Sequence, residues 1–113
     1  MEDCVFCKIA SGEISSTIVY QDENVVAFKD LEPQAPKHIL FIPRRHIASM
    51  ADMTDADGPL LASIFTAASK VARELGLEQG YRFLTNVGPQ GGQSVSHLHF
   101  HLLGGRQMKW PPG

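Results

Sequence analysis

HLHFHLL, from His97 to Leu103, is the stretch on which the reading of this chain turns. Three of the five histidines sit there on alternate positions, with Leu98, Phe100 and Leu102 between them. Side chains along a strand point alternately to opposite faces, so His97, His99 and His101 are expected on one face and the three apolar residues on the other. The apolar face would anchor to a core, leaving the imidazoles to look into a cleft or solvent. Neutral imidazole attacks electrophiles and moves protons near pH 7, so an ordered row suits nucleophilic attack joined to acid–base work on one centre. Two other readings fit the run itself. Three histidines are a ligand set for zinc of the carbonic anhydrase kind, and a polar strand face needs no chemistry at all.

Upstream lies GPQGGQS, 88–94, with Gly88, Gly91 and Gly92. Glycine backbone approaches a ligand closely, and consecutive N–H groups in such a loop form an anion nest, for which phosphate is the natural guest. It is not a P-loop, because no Gly-Lys-Ser/Thr ending is present and a strand rather than a helix follows. Alone it would read as a hairpin loop. Beside three histidines it reads as a phosphate cradle next to a nucleophile.

Working outward, YRFLTN is a fourth strand. HILFIP is a third, ended by Pro43 before Arg44-Arg45-His46. TIVYQ and VVAFKD are β-branched and aromatic runs around the turn Asp22-Glu23-Asn24, a hairpin. CVFCKIASGE spaces Val5, Phe6 and Ile9 as a short amphipathic helix that stops at Gly12. From Pro59 to Leu75, Leu60, Leu61, Ile64, Phe65, Ala68, Val71, Ala72 and Leu75 recur on one helical face. The opposite face, with Ala62, Ser63, Thr66, Ala67 and Ser69, carries charge only at Lys70, Arg73 and Glu74, fewer than a fully solvated surface normally has. The fold class is therefore α+β: a mostly antiparallel five-stranded sheet with one long and one short helix, packed against one side, in a single domain over 1–113.

Composition sets limits. A chain of 113 residues with 43% apolar and 19% charged residues can bury one core. A net charge of −2 leaves no basic footprint for polymeric nucleic acid. Met1-Glu2-Asp3 shows no leader, and the longest strongly apolar stretch, Ile39 to Ile42, is too short to span a bilayer, so no membrane association is expected and the cytoplasm is the expected location. Cys4 and Cys7, the only cysteines, are spaced as a metal-binding or redox-active pair rather than a structural bridge.

GGQSVSHLHFHLLGGRQMKWPPG resembles the C-terminal signature of the histidine triad superfamily, and its ending is similar to that of the Hint branch, the nucleoside phosphoramidases. The likeness continues through VFCKI, VVAFKDLEPQAP, HILFIPRRHI and LGLEQGYRFLTNVG. By this resemblance His99 is the nucleophile toward the α-phosphorus of a purine nucleoside phosphoramidate or acyl adenylate, and the backbone carbonyl of His97 orients it. His101 and His46 would hydrogen-bond the phosphate. Ser94 would lie near the leaving amine, and the backbone from Gly92 through Gln93 to Ser94 would stabilise developing charge. Asn86 would contact phosphate and ribose, and Asp30 would receive the ribose hydroxyls. Val5, Phe6, Ile9, Phe28 and Leu31 would form the purine slot, with Val95 in the same nucleotide-binding set.

Further implications concern metal and assembly. Cys4, Cys7, His46 and His97 match a subset of the superfamily that holds a structural zinc, while catalysis needs no cofactor. The expected ligands are AMP or GMP and their phosphoramidates, and the expected assembly is a homodimer. Two rival functions share the scaffold, a dinucleoside polyphosphate hydrolase and a nucleotide-binding scaffolding module.

Overall fold

The computed structural model describes residues 3–113; residues 1 and 2, part of the N-terminal stretch read above as carrying no leader, lie outside it. Two strands hold the centre, β2 (Val25–Lys29) and β3 (Lys37–Pro43). Both are apolar at nearly every position, and a strand with that pattern must be covered on both faces. Val25, Ala27, Ile39 and Phe41 pack with Ile64, Ala68 and Val71 of the long helix α2 (Gly58–Glu74). On the other face Val26, Phe28, Leu40 and Ile42 pack with Phe6 of the short helix α1 (Val5–Ser11), and Ile9 lies against them. The helices thus take opposite faces, not one side as the element order suggested.

With β1 (Ile18–Gln21), β4 (Tyr81–Thr85) and β5 (Phe100–Gly104) the sheet has the order β1-β2-β3-β5-β4, and every neighbouring pair is antiparallel. The β1–β2 turn is fixed by Asp22, whose carboxylate accepts the Asn24 and Val25 amides at 2.8 Å, satisfying backbone donors that the turn leaves free. Gly12 ends α1 in the left-handed region, where glycine carries no Cβ penalty.

On α2 two assignments exchange places. Phe65, expected inside, is 49% exposed, while Ala67, expected outside, is buried. Phe65 lies on the flank of the contact with its ring edge-on to Phe83 and Phe100. The small side chain of Ala67 suits a close approach of helix to sheet. Two 3₁₀ turns that the sequence pattern did not reveal, Met50–Asp52 and Asp55–Asp57, lead into α2.

HLHFHLL is only partly strand. Pairing begins at Phe100, and His97 to His99 form an irregular approach. That approach is pinned by the Leu98 amide donating to the Ile47 carbonyl (2.6 Å) and the Thr85 hydroxyl to the His99 carbonyl (2.6 Å). The division of faces still holds, since Leu98, Phe100 and Leu102 all enter the α2-side core. Among the described residues no helix is long and apolar enough to cross a membrane.

Candidate active site

Two of the three imidazoles are buried, and the third, His101, is partly exposed at a cleft. His97 is fully buried and His99 is 3% exposed, because the face opposite α2 is roofed by α1. Phe6 meets His99 edge-on at 5.1 Å between ring centres and Phe28 edge-on at 5.5 Å. His99 Nδ1 lies 2.7 Å from the His97 carbonyl oxygen. A carbonyl can only accept, so Nδ1 carries the proton and Nε2 keeps its lone pair.

His99 borders a cleft of about 610 Å³, within the range of small-ligand sites. Val5, Phe6 and Ile9 of α1, with Phe28 and Leu31, form apolar walls; Asp30, Ser94, Val95 and His101 complete the predicted residues that line it. Ile14 to Thr17, Lys29 and Leu40 also border it, and the sequence reading did not single them out. His46, Asn86, Gly92 and Gln93 do not line the cleft. The glycine-rich loop departs from the expected anion nest. Its Gly91, Gly92 and Gln93 amides donate to the carbonyls of Gly88, Pro89 and Gly88, so they close the loop instead of facing a ligand. The Gln93 side chain accepts from the Gly88 amide and donates to the Ala48 and Val95 carbonyls, tying this loop to the segment after β3. Ser94 is where the loop meets the cleft.

His101, on β5, stands beside His99. Burial, then the neighbouring His99 and His38, pushes its pKa down to about 4, so it is neutral at pH 7. His38 was missed in the sequence. It is buried, with its Nε2 2.9 Å from His101 Nδ1 and 3.4 Å from Asp30 Oδ2. Strand alternation could have found it, since position 38 shares its face with Leu40 and Ile42, the face that α1 and the cleft occupy.

Behind His99 lies a second cluster. Cys4 Sγ is 3.2 Å from His97 Nδ1, and Cys7 Sγ is 3.3 Å from His46 Nδ1 and 3.5 Å from His97 Nδ1. The His97 Nε2–H donates to the Pro43 carbonyl at 2.9 Å, which leaves the Nδ1 lone pair facing the sulfurs. Tetrahedral zinc with nitrogen and sulfur ligands sets them roughly 3.5 Å apart. Donor types, spacing and tautomer therefore fit a structural zinc held by Cys4, Cys7, His46 and His97. Burial, reinforced by the Cys4 thiol, raises the pKa of Cys7, so a metal would take the place of protons there. Since His46 Nδ1 belongs to this cluster, only Nε2 is left for the phosphate contact expected of His46.

The HIT domain matches residues 11–108, and the chain belongs to the HIT family. A HIT family hydrolase from Legionella pneumophila is 56% identical, with a TM-score of 0.97 over 98% of this chain and 100% of that one. The 14 kDa zinc-binding protein of Zea mays is 50% identical across 96% of this chain and 87% of its own length. The histidine triad nucleotide-binding protein of Candida albicans is 33% identical, with a TM-score of 0.82 over 96% of this chain and 83% of that one. The fold is that of a HIT family hydrolase.

Proposed function

We propose that this protein hydrolyses the P–N bond of purine nucleoside 5′-phosphoramidates through a nucleotidyl-histidine on His99. The observation that carries this reading is the 2.7 Å bond from His99 Nδ1 to the His97 carbonyl, which reserves Nε2 for attack at the edge of a cleft with an apolar slot and a carboxylate. The base lies between Val5, Phe6, Ile9, Phe28 and Leu31, where a neutral purine needs apolar contact more than charge. The Asp30 carboxylate accepts from the ribose hydroxyls. His99 Nε2 attacks the α-phosphorus, a P–N(His) bond forms, the P–N(amine) bond breaks, and the amine leaves beside Ser94 with a proton taken from solvent, which the water of the second step gives back. Water then attacks phosphorus and releases AMP and free His99, so two lower barriers replace one high one. His101 stabilises the charge on the phosphate oxygens in both steps. The names of the Legionella hydrolase and the Candida nucleotide-binding protein support the class of reaction and ligand.

Zinc at Cys4, Cys7, His46 and His97, supported by the name of the maize relative, would fasten α1 to the two segments carrying the histidines and takes no part in bond breaking. The working unit is proposed as one domain over 1–113, in the cytoplasm.

The test is rapid quenching of the wild type with labelled AMP-amine conjugate. AMP trapped on His99 as an acid-labile adduct, with faster turnover of the conjugate than of a diadenosine polyphosphate, is expected. An adduct on His97 or His101, or preference for the polyphosphate, would replace this reading with a different one.

A further inference from the structure

His38 has no part in the reaction just described, yet its position fixes how His101 can act. The chain of contacts begins at a backbone amide. Gln34 N–H points to His38 Nδ1 at 3.0 Å, and an amide nitrogen can only donate, so His38 Nδ1 must be the acceptor and bear no proton. Neutral His38 therefore carries its hydrogen on Nε2. That atom is 2.9 Å from His101 Nδ1, with Asp30 Oδ2 at 3.4 Å on its flank. The hydrogen lies between the two rings and His101 Nδ1 is again the acceptor. Neutral His101 must then hold its own hydrogen on Nε2, the one buried side-chain polar atom without a hydrogen-bond partner among the described residues, on a side chain that lines the cleft.

We propose that His38 is a positioning residue that sets the tautomer of His101, so that His101 offers the phosphate an N–H while His99 offers it a lone pair. The two imidazoles facing one cleft are thereby held in opposite tautomers by opposite backbone groups: an amide, acting through His38, for His101, and a carbonyl for His99. His101 acts as a neutral hydrogen-bond donor, which needs no proton from solvent. The same contacts argue against a metal at Asp30, His38 and His101, the second group of potential ligands, because an N–H already fills the space between the rings.

The catalytic consequence rests on the function proposed above, but the tautomers can be read without any substrate. In ¹⁵N-histidine spectra of the full chain, His101 Nε2, His38 Nε2 and His99 Nδ1 should show pyrrole-type shifts and their partner nitrogens pyridine-type shifts. A pyrrole-type Nδ1 on His101 would overturn the proposal even if P–N hydrolysis were fast. Normal tautomers with no turnover of AMP-amine conjugates would sink the function and leave the tautomer assignment standing. His38→Gln keeps an amide donor near the position of Nε2 and should hold kcat within about tenfold. His38→Met removes the donor and should lower kcat by about a hundredfold with little change in KM, since the contact to phosphate matters most in the transition state. Equal losses in both variants, or unchanged His101 shifts and kcat in His38→Met, would reduce His38 to a packing residue.

Discussion

At the scale of single residues, the buried histidines tie stability to pH. Burial lowers the pKa of His38, partly offset by Asp30, and burial with its neighbours takes His101 from 6.5 to about 4. A group with a depressed folded-state pKa takes up a proton more readily when unfolded, so its contribution to stability is complete above about 6.5 and is lost as the pH falls toward 4. Thermal melting should therefore drop across that window, with uptake of protons on unfolding, before carboxylates such as Asp22 become protonated. His38→Gln should flatten the profile; an unchanged slope would show that other groups titrate there. Mutation of the proposed nucleophile has a different signature. His99→Ala should lose turnover by more than about 10³-fold while still binding AMP, because the apolar slot and Asp30 remain; loss of AMP binding, measured by calorimetry, would contradict that division of labour. What the sequence showed of these residues was their spacing. It placed His99 and His101 on one face, but it could not show that His97 turns its ring to the cysteines and only its carbonyl to His99, since one residue serves two cysteines 90 or more positions away and a histidine 2 positions away.

Among the elements, α1 is the most exposed to loss. A helix of seven residues is marginal without tertiary support, and this one carries Val5, Phe6 and Ile9 of the proposed purine slot. Cys4 is its N-cap and Cys7 lies one turn on, so a metal there would anchor the helix at its start. Protein purified without chelators should carry about one zinc per chain. Its removal should lower the melting midpoint by at least about 5 °C, equivalent to about 1 kcal/mol for a chain this size, and speed amide exchange in α1 more than it reduces kcat. Absence of metal, with no uptake on reconstitution, would leave the cysteines as packing residues. The glycine loop makes a separate prediction. A Cβ at Gly91 would collide with the Val87 carbonyl and lie 2.9 Å from its nitrogen, so Gly91→Ala should destabilise the fold by about 1–3 kcal/mol, as denaturant unfolding would show. A glycine-rich loop can offer its amides to phosphate or, as the Gly91 and Gly92 amides do here, close on its own carbonyls, and nothing in GPQGGQS distinguishes the two without knowing where the amides point. The element order put both helices on one side of the sheet, although VVAF and ILFI, by their lack of alternation, require a cover on each face.

For the whole molecule, the far edge of the sheet is the surface open to a partner. β4 is an edge strand, and such an edge presents unpaired backbone donors and acceptors to any partner. Around it lie Phe65 and Tyr81, exposed by 49% and 44%, and the outer face of α2 has few charges. Arg82 on the same strand holds the tail by donating to the Lys109 carbonyl at 2.9 Å, and beyond that bond Trp110 is 82% exposed. A second copy would cover this indole, and a two-fold axis beside β4 would bring both edges and both α2 flanks together in one self-complementary interface. We therefore expect a homodimer of the 12.4 kDa chain at micromolar concentration in sedimentation equilibrium. Phe65→Glu, placing a charge on that face, should shift it toward monomer. If the partner's tail also reaches the cleft, removal of Lys109 to Gly113 should alter the ranking of leaving amines by several-fold in kcat/KM while AMP affinity stays within about twofold, because the slot for the base is built within one chain. A monomer at that concentration, or a truncated chain with an unchanged ranking of amines, would confine the tail to its own subunit and leave the edge of β4 without a role.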